Sequence, residues 1–231
     1  MNLSFVPYDT YERHKRVAEL LGEAKTVVDI GGQLDMLSRF CDVSSVTVAN
    51  LESSEEKSDV TIKRGKLPFD DNSFEASCAI DVLEHIAKKD RAGFIYELTR
   101  ISKEKAILSF PIGTPQHISY EGEIQKWLEN KGHNVSYLKE HIKYGLPKKE
   151  EIEQITSDAN SKLYFSGDLV LNKFLFKIFI FDPKIPVIRR IIFVAKGFLY
   201  FLTNPFLYAM LANKKYSHKV VRAYLVITKK S

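Results

Sequence analysis

The sequence predicts an α/β fold built on a doubly wound, mostly parallel sheet, and three observations carry that expectation. Strand-like and helix-like segments alternate through the first half of the chain. The β-branched run Thr26–Ile30 leads straight into Gly31-Gly32 and then into a helix-like segment, the strand, glycine turn, helix order of such sheets. The turn-forming tetrad Asp70-Asp71-Asn72-Ser73 precedes a run of small and apolar residues, Phe74–Ile80, that stops on Asp81. In an open parallel sheet ligands bind beyond the carboxyl ends of the strands, so Asp81 is a candidate for function.

Each element follows from local pattern. YERHKRVAELLG, residues 11–22, sets Val17, Leu20 and Leu21 on one helical face and ends on glycine, which predicts an amphipathic helix with a C-terminal stop. Residues 26–30 read as a buried strand and 34–40 as the helix after it. Residues 46–49 and 60–62 are two further strands, separated by the charged, serine-rich LESSEEKSD. After the strand at 74–80, residues 90–102 carry Phe94, Ile95, Leu98 and Ile101 on one helical side, with Asp90 as the expected N-cap. Residues 105–110 return as a strand. Beyond Pro111 the chain turns polar, with a helix at 121–130 ending near Gly132, a charged helix within 148–160 and a short strand at 163–165. Residues 169–212 are dominated by Phe, Leu, Ile and Tyr and are broken by Pro183, Pro186 and Pro205.

A chain of 231 residues with 45% hydrophobic content buries one good core. We read a single domain: a core at 23–112, a variable cover at 113–165, a hydrophobic, basic helical insertion at 166–216 and a last strand at 220–230. Cys41 and Cys78 are far apart, which argues against a disulfide framework or a cysteine zinc site, and no metal site is read. The opening MNLSFVPYDTYERHKR has no signal-like apolar run, so a cytoplasmic location is expected. From residue 161 onward there are 13 Lys and Arg against 2 Asp and Glu, whereas the preceding body is mildly acidic. These basic residues interrupt apolar runs such as FLFKIFIF, a pattern that argues against a nucleic acid partner and for a membrane surface or a partner groove. The segment reads equally as ordinary core or as an element on the inner face of an anionic membrane. Full spanning fits less well, because Lys196 and Asn204-Pro205 interrupt the run and the last strand must rejoin the same sheet.

LPFDDNSFEASCAIDVLEHI, residues 67–86, resembles class I S-adenosylmethionine-dependent methyltransferases of the methyltransferase type 11-like kind, with Glu75 in place of their usual Asp. TVVDIGGQLDML resembles that family's first strand and glycine loop, and FIYELTRISKEKAILSFP its fourth helix and fifth strand. VVRAYLVITKK resembles its last strand. The resemblance implies a Rossmann-like sheet of seven strands with helices on both faces and a helical insertion before the last strand. It also implies S-adenosyl-L-methionine as cofactor.

On that resemblance Asp29, Gly31, Gly32 and Gln33 form the cofactor loop, with Gln33 and Asp35 standing where the family repeats glycine. At the end of the second strand the family holds the ribose hydroxyls with a carboxylate. Here Asn50 occupies that place, followed by Leu51 and Glu52, and either Asn50 accepts one hydroxyl or Glu52 takes both. Gly65 lies at the adenine end, and Asp81 faces the cofactor crevice, with Val82 and Leu83 flanking the transferred group. Glu84 and His85 open the next segment, where Glu84 also suits a helix start and His85 can satisfy a loop carbonyl. A hydroxyl acceptor needs a general base; His117, Tyr120, Glu121, His133, Glu140 and His141 are candidates, and His117 is best placed. The expected acceptor is a small-molecule, lipid-linked or glycan-precursor compound. A non-catalytic scaffold with the same fold and a nicotinamide-dependent oxidoreductase remain the alternatives, the latter without G-x-G-x-x-G after its first strand.

Overall fold

The computed structural model describes residues 6–133 and 135–229. Residues 1–5 of the opening segment, and Lys230 of the expected last strand, lie outside them.

Seven strands form one sheet in the order β3-β2-β1-β4-β5-β7-β6. They are β1 (Thr26–Ile30), β2 (Ser45–Leu51), β3 (Val60–Ile62), β4 (Phe74–Ile80), β5 (Ser102–Pro111), β6 (Ser161–Ser166) and β7 (Arg222–Thr228). The first five run parallel, and β7 is antiparallel to both β5 and β6. Register places Asp29 between Val48 of β2 and Cys78 of β4 at the centre of the sheet.

The period-2 alternation of the strands sorts their side chains between two layers. Val28, Ala79, Leu108 and Leu225 face one layer, where they pack with Leu98 and Ile101 of α2 (Arg91–Ile101) and Ile152 of α5 (Lys149–Ile155). Val27, Cys78, Ile107 and Tyr224 face the other, against Val17 and Leu21 of α1 (Tyr8–Leu21). Beyond β5 the chain forms α3 (Pro115–Asn130) and α4 (Ser136–Tyr144), whose Tyr120, Ile124, Leu128 and Leu138 make a smaller core with Leu169 and Val221.

The hydrophobic segment between β6 and β7 forms two helices, α6 (Leu169–Ile180) and α7 (Pro186–Leu211). Asp168 caps α6 by accepting from the backbone N–H groups of Val170 and Leu171. Lys196 donates to the carbonyls of Phe179 at 2.8 Å and Phe181 at 2.5 Å, so a cation from α7 closes the open end of α6. On α7, Tyr200, Asn204, Tyr208 and Leu211 recur every three or four residues and form its buried stripe, along which it packs on α1.

Two local expectations are corrected. The helix expected over 34–40 is a single 3₁₀ turn, Leu37–Arg39. Asp35 has φ +62°, which no α-helix accommodates, and the residues left before β2 are too few to repay helix nucleation. Asp90 makes no capping bond; it ends a 3₁₀ turn, with its own N–H donating to Ala87 O at 2.8 Å, and α2 starts from that turn. α4 was not anticipated, because its polar sequence SYLKEHIKY buries only Leu138 and His141.

Candidate active site

The exposed tip of β1 carries the glycine turn. Gly31 has φ +81°, and a Cβ there would lie 2.4 Å from Val82 Cγ2. A Cβ on Gly32 would lie 2.1 Å from Asp29 Oδ2. Glycine is therefore required twice, at Gly31 by conformation and contact and at Gly32 by contact alone. Asp29 is buried beneath the turn, where its side-chain hydrogen-bond donor is the Cys78 thiol at 3.5 Å. Burial pushes its carboxyl up to about 7.

Asn50 is also buried, and its amide donates to Gly32 O at 2.9 Å, so this side chain braces the loop. Leu51 packs partly into the core, while Glu52 is exposed at the strand exit. Gln33 is exposed and donates to Glu56 at 3.3 Å, a carboxylate the sequence reading did not single out. Gly65 has φ +105° with no atom within 4 Å of its Cβ position, and it joins none of these contacts.

At the end of β4, Asp81 has φ +56° and its N–H donates to Ser109 O at 2.8 Å. Arg13 of α1 reaches its carboxylate at 2.5 Å, and Arg222 of β7 forms a second direct ion pair with it. Asp9 accepts from both guanidiniums, at 2.9 Å from Arg13 and 3.1 Å from Arg222. Burial opposes ionisation of Asp81, but Arg222 and then Arg13 outweigh it and hold the carboxyl at about 2. Val82 packs over Gly31 and links the two tips, while Leu83 is fully buried in the core.

A cavity of about 400 Å³ opens on the α3, α4 and α6 side of Asp81. Arg13, Asp81, Glu84, His117, Glu121 and His141 supply its polar side, and Leu175, Phe176 and Phe179 of α6 its apolar side. His117 is buried, and its Nδ1 lies 3.0 Å from Ile112 O. A carbonyl only accepts, so Nδ1 carries the hydrogen and Nε2 keeps its lone pair. Burial lowers this imidazole's pKa below its ordinary 6.5. Tyr120 lines the cavity, as does His85, whose Nδ1 meets Glu140 at 2.7 Å. His133 is exposed and is not part of the lining.

The structure thus unites Asp29, Gly31, Gly32 and Asn50 at one tip, with Gln33 and Glu52 on its exposed rim, and places His117 across Asp81 in the cavity. Arg13, Asp9 and Arg222 were missed as site residues. One local signal was Arg222, a charge inside the apolar run VVRAYLVI, and another the i,i+4 spacing of Asp9 and Arg13. The tip fits a ligand with an ammonium and a diol. It has a bare glycine turn, a buried carboxylate short of donors, and exposed carboxylates at Glu52 and Glu56.

Residues 38–110 match the family described as methyltransferase domain. Among solved structures, the chain is similar to geranyl diphosphate C-methyltransferase from Streptomyces coelicolor A3(2), with TM-score 0.52, 11% identity, and coverage of 93% of this chain and 76% of that one. It is similar to phosphoethanolamine N-methyltransferase 2 from Haemonchus contortus, with TM-score 0.52, 15% identity, and coverage of 94% and 52%. Magnesium protoporphyrin IX methyltransferase from Synechocystis PCC 6803 gives TM-score 0.48 at 12% identity, over 96% of this chain and 86% of that one. At these identities the likeness is one of fold. No curated protein matches the chain in sequence.

Proposed function

The chain carries a methyltransferase domain of the class I fold, whose chemistry is S-adenosylmethionine-dependent methyl transfer, and from that premise we propose that its acceptor is an amphipathic, lipid-borne small molecule. The observation that carries this reading is the cavity itself. Its polar side meets an apolar wall of Leu175, Phe176 and Phe179, and that wall belongs to α6, whose outer face is exposed at Val170 and Phe174. The volume suits one small-molecule head.

S-adenosylmethionine supplies an already activated methyl on its sulfonium, so the protein's task is placement, worth up to roughly 7 to 11 kcal/mol. Asp29, the glycine turn and Glu52 are the residues that would hold the cofactor, with Val82 and Leu83 beside the Asp81 corner. Arg13 and Arg222 keep Asp81 ionised and fix the corner between tip and cavity. His117, neutral at pH 7 with Nε2 free, accepts the proton of an acceptor hydroxyl. Phe176 and Phe179 give the same space an apolar lining.

The lipid end of the acceptor reaches the site from a membrane surface. α7 is long and apolar enough to cross a membrane by length and composition. One stripe of it packs on α1, however, and both β6 and β7, which flank the helical pair, lie in one sheet. The pair therefore lies on the membrane, presenting Phe181, Ile191, Phe193, Phe198 and Phe206, with Lys184, Arg189 and Arg190 exposed beside them. Flotation with phosphatidylglycerol vesicles tests this. Binding that weakens on Phe193→Ser/Phe198→Ser substitution is the expected result, and a chain that stays with the soluble fraction contradicts it.

A further inference from the structure

Across the cavity from α6, the 3₁₀ turn Leu83–His85 packs against α4. That packing brings one carboxylate and two imidazoles together: one ligand atom each from Glu84, His85 and His141, all within 4.8 Å of one another. We propose that these three residues form a binding site for a first-row divalent metal ion, opening into the acceptor cavity.

Both imidazoles are already oriented for the task. His85 Nδ1 lies 2.7 Å from Glu140 Oε2, and His141 Nδ1 lies 2.9 Å from Glu121 Oε1. An ionised carboxylate only accepts, so each Nδ1 carries a hydrogen, and in the neutral rings each Nε2 keeps a lone pair for a metal. A carboxylate behind a ligating histidine is the arrangement that fixes its ring and raises its basicity.

Glu84 is the independent observation. It is 1% exposed, and its Oε2 has no hydrogen-bond partner among the described residues. A buried carboxyl oxygen without a partner is costly, and a cation beside it removes that cost. Among the described residues Arg13 and Arg222 do not hydrogen-bond this oxygen, since their terminal N–H groups are engaged by Asp81 and Asp9.

The donor set selects the ion. Two imidazole nitrogens and one carboxylate suit Zn²⁺, Co²⁺, Mn²⁺ or Fe²⁺, whereas Mg²⁺ and Ca²⁺ prefer oxygen donors alone. Three protein ligands leave a position open to the cavity. An acceptor with an oxygen donor, hydroxyl or phosphate, fits that position; this last step rests on the proposed acceptor cavity, whereas the metal site does not.

The test is calorimetric titration of chelator-treated protein with Zn²⁺, without methyl donor or acceptor, alongside Co²⁺ titration followed by visible absorption and Mg²⁺ as control. One Zn²⁺ per chain is expected, with Co²⁺ giving the bands of a mixed nitrogen and oxygen site. His85→Asn/His141→Asn should weaken binding by more than about 100-fold, and Glu140→Gln, at an exposed position, by about 10-fold. No saturable Zn²⁺ or Co²⁺ binding, or affinity unchanged in the double variant, overturns the proposal; if the double variant does not fold, unchanged affinity in Glu140→Gln overturns it. Methyl transfer does not enter this readout, so failure of the metal site and failure of the acceptor assignment are told apart.

Discussion

Arg222 of the last strand pairs directly with Asp81 at the end of β4, although 141 positions separate them in sequence. The pair clamps the carboxyl end of β4 to β7 and is shared with Arg13 of the leading helix. Three separate parts of the chain therefore meet at the corner between the glycine turn and the cavity.

Removing the charge at that corner leaves two guanidiniums short of their carboxylate. Asp81→Asn is expected to cost about 3 to 5 kcal/mol at pH 7 in urea unfolding. The pH dependence has a definite sign. The folded carboxyl titrates at about 2 against an ordinary 3.8, so its stabilisation is full above the higher value and is lost as pH falls through the lower one. The gap between wild type and variant should therefore shrink by about 2 kcal/mol between pH 5 and pH 2. A gap independent of pH would refute the assignment.

Asp29 carries the opposite sign. Its folded carboxyl titrates at about 7 against an ordinary 3.8, so its contribution is most favourable below the lower value and is lost as pH rises through the higher one. Above neutrality the ionised group costs about 4 kcal/mol in the ligand-free protein. Asp29→Asn should thus raise the melting temperature more at pH 8 than at pH 5 while weakening S-adenosylmethionine. Equal shifts at both pH values would show that the carboxyl is not held in this way.

Much of the sheet was legible because its signals are local. The bounds of β1, β3 and β4 coincide with the β-branched or small-residue runs at 26–30, 60–62 and 74–80. The turn after β1 was less legible, because one left-handed residue, Asp35, replaced a whole expected helix. Asn50 shows how a side chain read for ligand contact also has a structural task the sequence does not display, since its amide donates to Gly32 O in the loop. In the cluster of Asp9, Arg13, Asp81 and Arg222 only the Asp9–Arg13 pair is local, at i,i+4 on α1; the ion pairs that bring Asp81 and Arg222 to it join residues remote in sequence.

Glycine at position 32 is a steric requirement rather than a conformational one. Gly32→Ala drives a methyl into Asp29, and the resulting shift should cost about 1 to 3 kcal/mol in stability. Circular dichroism melts of this variant beside Gly93→Ala, where the Cβ position meets nothing within 4 Å, supply the comparison. Equal melting temperatures would remove the turn from the account.

His117 should set the acid limb of the activity profile. The base must be neutral, and burial lowers its pKa, so kcat should rise with pH through a midpoint below the ordinary 6.5 and then level. His117→Asn should lower kcat by about 100-fold or more and abolish that limb. A variant that keeps both rate and limb would pass the role to another group.

The most direct measurement is calorimetric titration of the purified protein with S-adenosylmethionine, repeated on Asp29→Asn and Gly32→Ala. Saturable binding of one cofactor per chain, weakened at least about tenfold in folded forms of both variants, is the predicted result and corresponds to about 1.4 kcal/mol. No heat at millimolar cofactor, or wild-type affinity in both variants, would contradict a cofactor site on the tip of β1.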